Sequence, residues 1–201
     1  MITLSIGKNF LYRRLIFFAT NNIGKFNEAR RILAEYGISV AMIKVKKLEV
    51  QDNNIERIAK VSALSVAKRI NLPVVVEDAG LFVEALNGFP GPYSSYVYRT
   101  IGISGLLKLM EGIENRKAYF KSVVVFCDPQ GKLKCFDGIV YGRISREASG
   151  GKGFGFDPIF EPREKPTKTF GEMTIDEKDE FSHRSKAFRK FAEWYKEEYI
   201  P

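Results

Sequence analysis

Apolar runs and amphipathic stretches alternate along most of the chain. Leu15–Thr20 opens with LIFFA, a continuous apolar run that predicts a buried strand. In the helix predicted over Ile23–Tyr36, apolar residues return at helical spacing, and Gly37 closes it. Ile38–Val45 predicts a second strand. Asn53 or Asn54 caps a helix running to about Ile70, with Ile55, Ile58, Ala59, Ser62 and Val66 on one stripe. Pro73 begins a buried strand, Val74-Val75-Val76, which delivers Glu77-Asp78 at its carboxyl end. Gly102–Gly112 predicts a short helix. Lys117–Cys127 and Lys132–Ser145 predict long strands around an Asp128-Pro129-Gln130-Gly131 turn, and His183–Tyr199 a closing helix. Helices come early and a long hairpin late, so the expected sheet is mixed rather than purely parallel.

Two segments serve no such pattern. Gly151–Phe160, GKGFGFDPIF, has three glycines that let backbone approach a ligand closely. Phe154 and Phe156 sit among them with no regular element to bury them, and Asp157-Pro158 fixes a turn. Glycines, aromatic faces and one carboxylate suit a pocket that holds a flat ring by stacking. A Gly-rich hairpin whose aromatics cover the core accounts for the segment about equally well. The second segment, Thr20-Asn21-Asn22-Ile23-Gly24-Lys25, joins a strand to a helix start that carries a lysine. Free N–H groups and the positive helix end favour phosphate there. The spacing is not that of a Walker loop, and a helix cap on Asn21 or Asn22 is the plain alternative.

Composition narrows the class. With 201 residues, 45% of them hydrophobic, one domain with a full core is expected. No apolar run approaches the length of a membrane span. The first residues, MITLSIGKNFLYRR, lack the apolar core and cleavage site of a signal peptide. Cys127 and Cys135 flank the hairpin turn and fit cytoplasmic free thiols better than a disulfide. A single histidine, His183, excludes a His-rich metal site, so a divalent ion would be held by oxygens, as Mg²⁺ or Mn²⁺ is. The net charge of +8 raises nucleic-acid binding as a competitor. Lys and Arg are scattered rather than clustered, however, and the excess concentrates around the phosphate-favouring turn. In residues 1–60, 11 Lys and Arg face 5 Asp and Glu. No nucleic-acid partner is expected. Glu77 and Asp78, adjacent at a buried strand end, would be costly without a cation beside them.

Four blocks together resemble the inosine triphosphate pyrophosphatase family, which hydrolyses deaminated purine nucleoside triphosphates. They are FATNNIGKFNE (Phe18–Glu28), VEDAGLFVEALNGFPGPYSS (Val76–Ser95), GFGFDPIF (Gly153–Phe160) and TFGEM…KDEFSHRSKA (Thr169–Ala187), in the family's order. Residues 1–13 have no counterpart in the pattern and form an N-terminal extension to a single domain, 14–201. The resemblance implies an elongated α/β fold with two lobes and the active site in the cleft between them. It implies hydrolysis of ITP, dITP and XTP to monophosphate and pyrophosphate in a homodimer. Asp78 would be the catalytic carboxylate, with Glu49 as its partner in holding Mg²⁺. Lys25, Thr20 and Asn21 would meet the phosphates, joined by Lys60, Lys178 and Ser94. Ser95-Tyr96 departs from the Ala-Arg common at that point of the pattern. Phe154 would stack on the purine with Phe156 packed behind it, and Asp157 would accept from ring N–H groups or hold the loop. Ser182 reads as an N-cap, while His183 and Arg184 would donate to the 6-oxygen, which adenine lacks. Two alternatives remain: a related nucleotidase acting on other modified nucleotides, and a non-enzymatic basic nucleotide- or nucleic-acid-binding module.

Overall fold

A computed structural model describes residues 15–46, 48 and 50–199. The N-terminal extension and Glu49 lie outside the described residues. The chain forms β1 (Leu15–Ala19), α1 (Ile23–Glu35), β2 (Ser39–Ile43), α2 (Ile55–Ile70), β3 (Val74–Val83) and β4 (Pro90–Gly91). Two short helices follow, α3 (Ser94–Thr100) and α4 (Gly102–Leu109). The long hairpin is β5 (Lys117–Cys127) and β6 (Leu133–Ile144). After it come β7 (Phe160–Pro162), α5 (Ile175–Asp179) and α6 (His183–Trp194). The periodic segments thus become the elements expected of them, within a few residues at their ends, except that β3 runs on to Val83, well past the expected end at Glu77-Asp78. The sequence reading had no counterpart for α3 and α5, which are too short to show a repeating stripe.

The sheet has seven strands in the order β2-β1-β3-β5-β6-β7, with β4 on the far part of β3. β1 pairs in parallel with both β2 and β3, while β3, β5 and β6 run antiparallel to their neighbours in turn. The sheet is mixed, as the order of elements predicted. Because β1 lies between β2 and β3, the crossover from β1 through α1 to β2 and the crossover from β2 through α2 to β3 run in opposite directions along the sheet. They therefore cover opposite faces of the sheet.

Strand alternation divides the core by face and by height. On the α2 face, Val74, Val76, Val123 and Val125 pack with Ala59, Ala63 and Val66. On the α6 face, Val75, Val124, Phe126 and Phe136 meet Ile32, Phe188 and Phe191. Farther along the same face a separate cluster forms around Leu81, Phe120, Val140, Ile159 and Phe170. Between these two clusters the sheet presents Glu77, Ser122 and Gly138 instead of large apolar side chains. The two halves of the molecule therefore share continuous strands but have separate cores.

Cys127 and Cys135 are both free thiols. Cys127 pairs across the hairpin with Leu133 and Cys135 with Val125. Burial pushes Cys127 up to about 11, which makes it an inert core side chain at neutral pH.

Candidate active site

β1 ends at Ala19, whereas its neighbour β3 runs on to Val83. With Phe18 opposite Val75, Glu77 and Asp78 fall just past the carboxyl end of β1. This is the switch point of the parallel part of the sheet, where α/β folds open a crevice. The expectation that Glu77-Asp78 ends a strand is therefore corrected: the pair sits in mid-strand. Alternation sends the two side chains to opposite faces. Glu77 faces α6 and is 1% exposed, while Asp78 is half-buried on the other side, its Oδ1 accepting the Ala79 N–H at 3.0 Å.

The turn from β1 into α1 is built by its own side chains. Thr20 Oγ1 accepts the Asn22 N–H at 3.1 Å, and Asn22 Oδ1 accepts the Lys25 N–H at 3.1 Å. Asn22 is thus the N-cap, and Asn21 stands exposed beside it. The helix start that remains leaves N–H groups without intrahelical partners, as an anion site requires.

Lys25 begins a chain of ion pairs that crosses the molecule with alternating sign. Its Nζ lies 2.9 Å from Glu77 Oε2. Glu77 Oε1 accepts from Arg184 Nε at 3.1 Å and from the Ser122 hydroxyl at 2.7 Å. Arg184 Nη1 donates to Glu28 Oε2, and Glu28 Oε1 accepts from Lys178 Nζ at 3.0 Å. Lys178 also donates to Asp157 Oδ2 at 2.7 Å, and that same oxygen accepts the Phe154 N–H at 2.8 Å. Three acids and three bases alternate, so the chain is electrically neutral. It runs from the phosphate-favouring turn to the Gly-rich loop.

Burial by itself would raise the Glu77 carboxyl, but Arg184 and Lys25 outweigh it and hold it down to about 2. Glu28 is likewise lowered against its burial by Arg184 and Lys178. Asp157 goes the other way: burial raises it, and the Glu28 carboxylate adds to that against the pull of Lys178. His183 is buried, with Arg184, Lys178 and Lys25 nearby, and is held well below its usual value, hence neutral. Its ring stacks on Phe120 at 4.7 Å and 11°, with Nδ1 buried and unpartnered.

The loop after β6 lies over this chain. At Gly153, with φ +77, a Cβ would strike Asp157 Oδ2. Only glycine lets the loop wrap its own carboxylate there. Phe154 is half-buried, with the Lys178 ammonium 5.2 Å and the Arg184 guanidinium 5.3 Å from its ring centre. Both are cation–π distances.

Lys25, Phe154, Asp157, Lys178 and Arg184 are therefore brought together, with Thr20 and Ser182 holding the two helix starts beside them. Ser182 is the N-cap of α6, accepting the Ser185 N–H at 3.1 Å. Asp157 holds the loop, the second of the two roles expected of it. Phe156 turns away from the site into the far core, edge-on to Tyr98 at 5.5 Å. Ser94 needs a correction as a phosphate contact. Its hydroxyl donates to Gly91 O at 2.6 Å and accepts the Leu81 N–H at 2.8 Å, so its one proton is already used. Lys60 pairs along α2 with Glu56 and is exposed at 40%, outside the ion-pair chain. Lys178 is 4% exposed and bound to two carboxylates rather than to solvent. A separate groove of about 900 Å³, lined by residues such as Arg116, Arg143, Glu161 and Thr169, lies at the far end of the hairpin.

Glu28 and Ser122 were missed by the sequence reading, Asn22 was offered there as one of two possible helix caps, and Glu77 was read only as a neighbour of Asp78. A signal existed for two of them. Glu28 sits on the buried stripe of α1 with Ala29, Ile32 and Leu33, and Glu77 interrupts an otherwise apolar strand. A charge inside an apolar stripe must meet an opposite charge.

A model of the Ham1 family matches residues 16–194. A dITP/XTP pyrophosphatase of Methanopyrus kandleri is 54% identical over 90% of this chain and 96% of its own length. One of Hyperthermus butylicus is 50% identical over 92% of the chain and 96% of its own. Among solved structures, a HAM1 protein from Coxiella burnetii superposes with a TM-score of 0.79 at 27% identity, covering 91% of this chain and 98% of that one. A nucleoside-triphosphatase / dITP/XTP pyrophosphatase from Mycobacterium abscessus gives 0.70 at 32% identity, over 88% and 97%.

Proposed function

Because the chain belongs to the Ham1 family, we propose that it is a pyrophosphohydrolase of deaminated purine nucleoside triphosphates. It acts on dITP, XTP and ITP and releases the monophosphate and pyrophosphate. The observation that carries this reading is the similarity along nearly the whole chain to dITP/XTP pyrophosphatases. The geometry supports it: a phosphate-favouring turn and a ring-holding loop stand at the two ends of one buried ion-pair chain.

In this reading the start of α1 and Lys25 bind the phosphates, and Phe154 covers the base. Arg184 and Lys178 lie within cation–π distance of Phe154 and supply positive charge beside the slot, which suits a base bearing a 6-oxygen. Asp78 sits across the sheet from the ion pairs, where it orients or deprotonates the attacking water. The donors available are hard oxygens, which fit Mg²⁺ or Mn²⁺. Asp78, with Glu49, would hold such an ion, which when bound neutralises phosphate charge. Glu77 does not fit that task, being saturated by Lys25, Arg184 and Ser122. We further propose that the enzyme works as a homodimer in the cytoplasm. Among the described residues no helix is long and apolar enough to cross a membrane.

Pyrophosphate release measured across ITP, XTP, dITP, ATP, GTP and UTP tests the reading. A strong preference for the first three is expected, and equal rates on ATP would sink it. Asp78→Asn should lower kcat by about 100-fold or more while the fold persists. Near-normal kcat at saturating Mg²⁺ would remove Asp78 from the mechanism.

A further inference from the structure

We propose that Gly24 is a positioning residue for base recognition, because its missing side chain forms the seat on which Phe154 rests. The inference rests on the proposed nucleotide activity and adds to it a direct link between the phosphate turn and the base loop. A Cβ built on Gly24 falls 2.7 and 2.8 Å from two carbons on one edge of the Phe154 ring, too close for any real side chain. The ring has little room to give way. The Phe154 backbone N–H is tied to Asp157 Oδ2, Asp157 is tied to Lys178, and Lys178 and Arg184 flank the ring. The backbone of the loop is fixed as well, since Lys152 N–H donates to Gly171 O at 2.9 Å. The ion-pair chain from Lys25 to Asp157 therefore closes into a ring through the contact between Gly24 and Phe154.

Helix energetics make the position informative. Gly24 lies in the first turn of α1, after the cap Asn22. An alanine is intrinsically a better helix former than glycine. By helix propensity alone, Gly24→Ala should leave stability unchanged or raise it. Any loss must come from the displaced ring or from the capping Asn22 Oδ1, 3.2 Å from the same Cβ, and only the ring's share disappears when Phe154 is replaced.

The test is a double-mutant cycle on Gly24→Ala and Phe154→Leu, read by kinetics with dITP and by melting temperature. In the parent background Gly24→Ala should raise the KM for dITP about tenfold, more than it lowers kcat, since a stacked base is worth roughly that much or more. The Ki of inorganic tripolyphosphate, which has no base, should move less than this KM. In the Phe154→Leu background, where the ring is gone, Gly24→Ala should add little to either KM or melting loss. Unchanged KM in the parent, additive effects in the cycle, or an equal rise in the tripolyphosphate Ki would each overturn the proposal. A parent that releases no pyrophosphate from dITP would instead overturn the activity itself. The melting cycle would still decide whether Gly24 seats Phe154.

Discussion

Glu77 is reached by an arginine, a lysine and a serine at once, and its carboxyl is held down to about 2 from an ordinary 4.5. A depressed carboxyl contributes stability that is complete above its unfolded value and fades as pH falls through its folded one. The contribution should therefore be full above pH 4.5 and disappear toward about pH 2. Glu77→Gln is expected to melt lower at neutral pH and to show a flatter fall in melting temperature across that acid window. Equal acid slopes in the two proteins would contradict the assignment. Arg184 is the matching test from the positive side. Its removal leaves Glu28 and Glu77 buried beside a hole, a defect worth about 3–5 kcal/mol in comparable buried pairs. Arg184→Ala should thus unfold at clearly lower denaturant concentration. If Arg184 also sets the preference for a 6-oxygen, the ratio of kcat/KM for ITP over ATP should fall in the same variant. Lost stability with that ratio intact would leave Arg184 a purely structural member of the chain.

Helix α6 carries both the cap Ser182 and the buried Arg184, so its placement on the sheet sets the site. It can lie close because β6 has glycine at position 138, where a Cβ would come within 2.6 Å of Ala187 N and also strike the His183 carbonyl oxygen. Gly138→Ala should lift the start of α6 and cost about 1–3 kcal/mol, as overpacking does. Gly151→Ala, with nothing near its added carbon, should melt like the parent. Elements of this length were legible in the sequence. The helical stripes of α1, α2 and α6 and the long hairpin follow from periodicity, since burial of one face repeats every few residues. What periodicity cannot convey is which strand ends beside which. Glu77-Asp78 looked like a strand end because polar residues interrupt an apolar run. In the fold β3 continues, and the neighbouring β1 is the strand that stops. The same limit hid Ser94, whose hydroxyl is used between Leu81 and Gly91, and Glu28, whose partners lie about 150 residues away in sequence.

At the scale of the molecule, two apolar clusters on one sheet face are separated by a charged waist. The buried clusters and the ion pairs between them are what hold the fold together. Chelation with EDTA should accordingly abolish turnover while leaving the melting temperature unchanged, and a large melting shift would point to a structural metal. The alternating sign of the waist has a consequence for how such a site can change over generations. Six charges cancel in sequence along one thread. Any single replacement that removes a buried charge strands a neighbour, at a cost that is a large part of a domain's net stability. Variation at these positions is then open only to exchanges that remove an acid and a base together. Lineages should therefore cross this waist in paired steps, while the solvent face of α2, on the other side of the sheet, drifts one residue at a time.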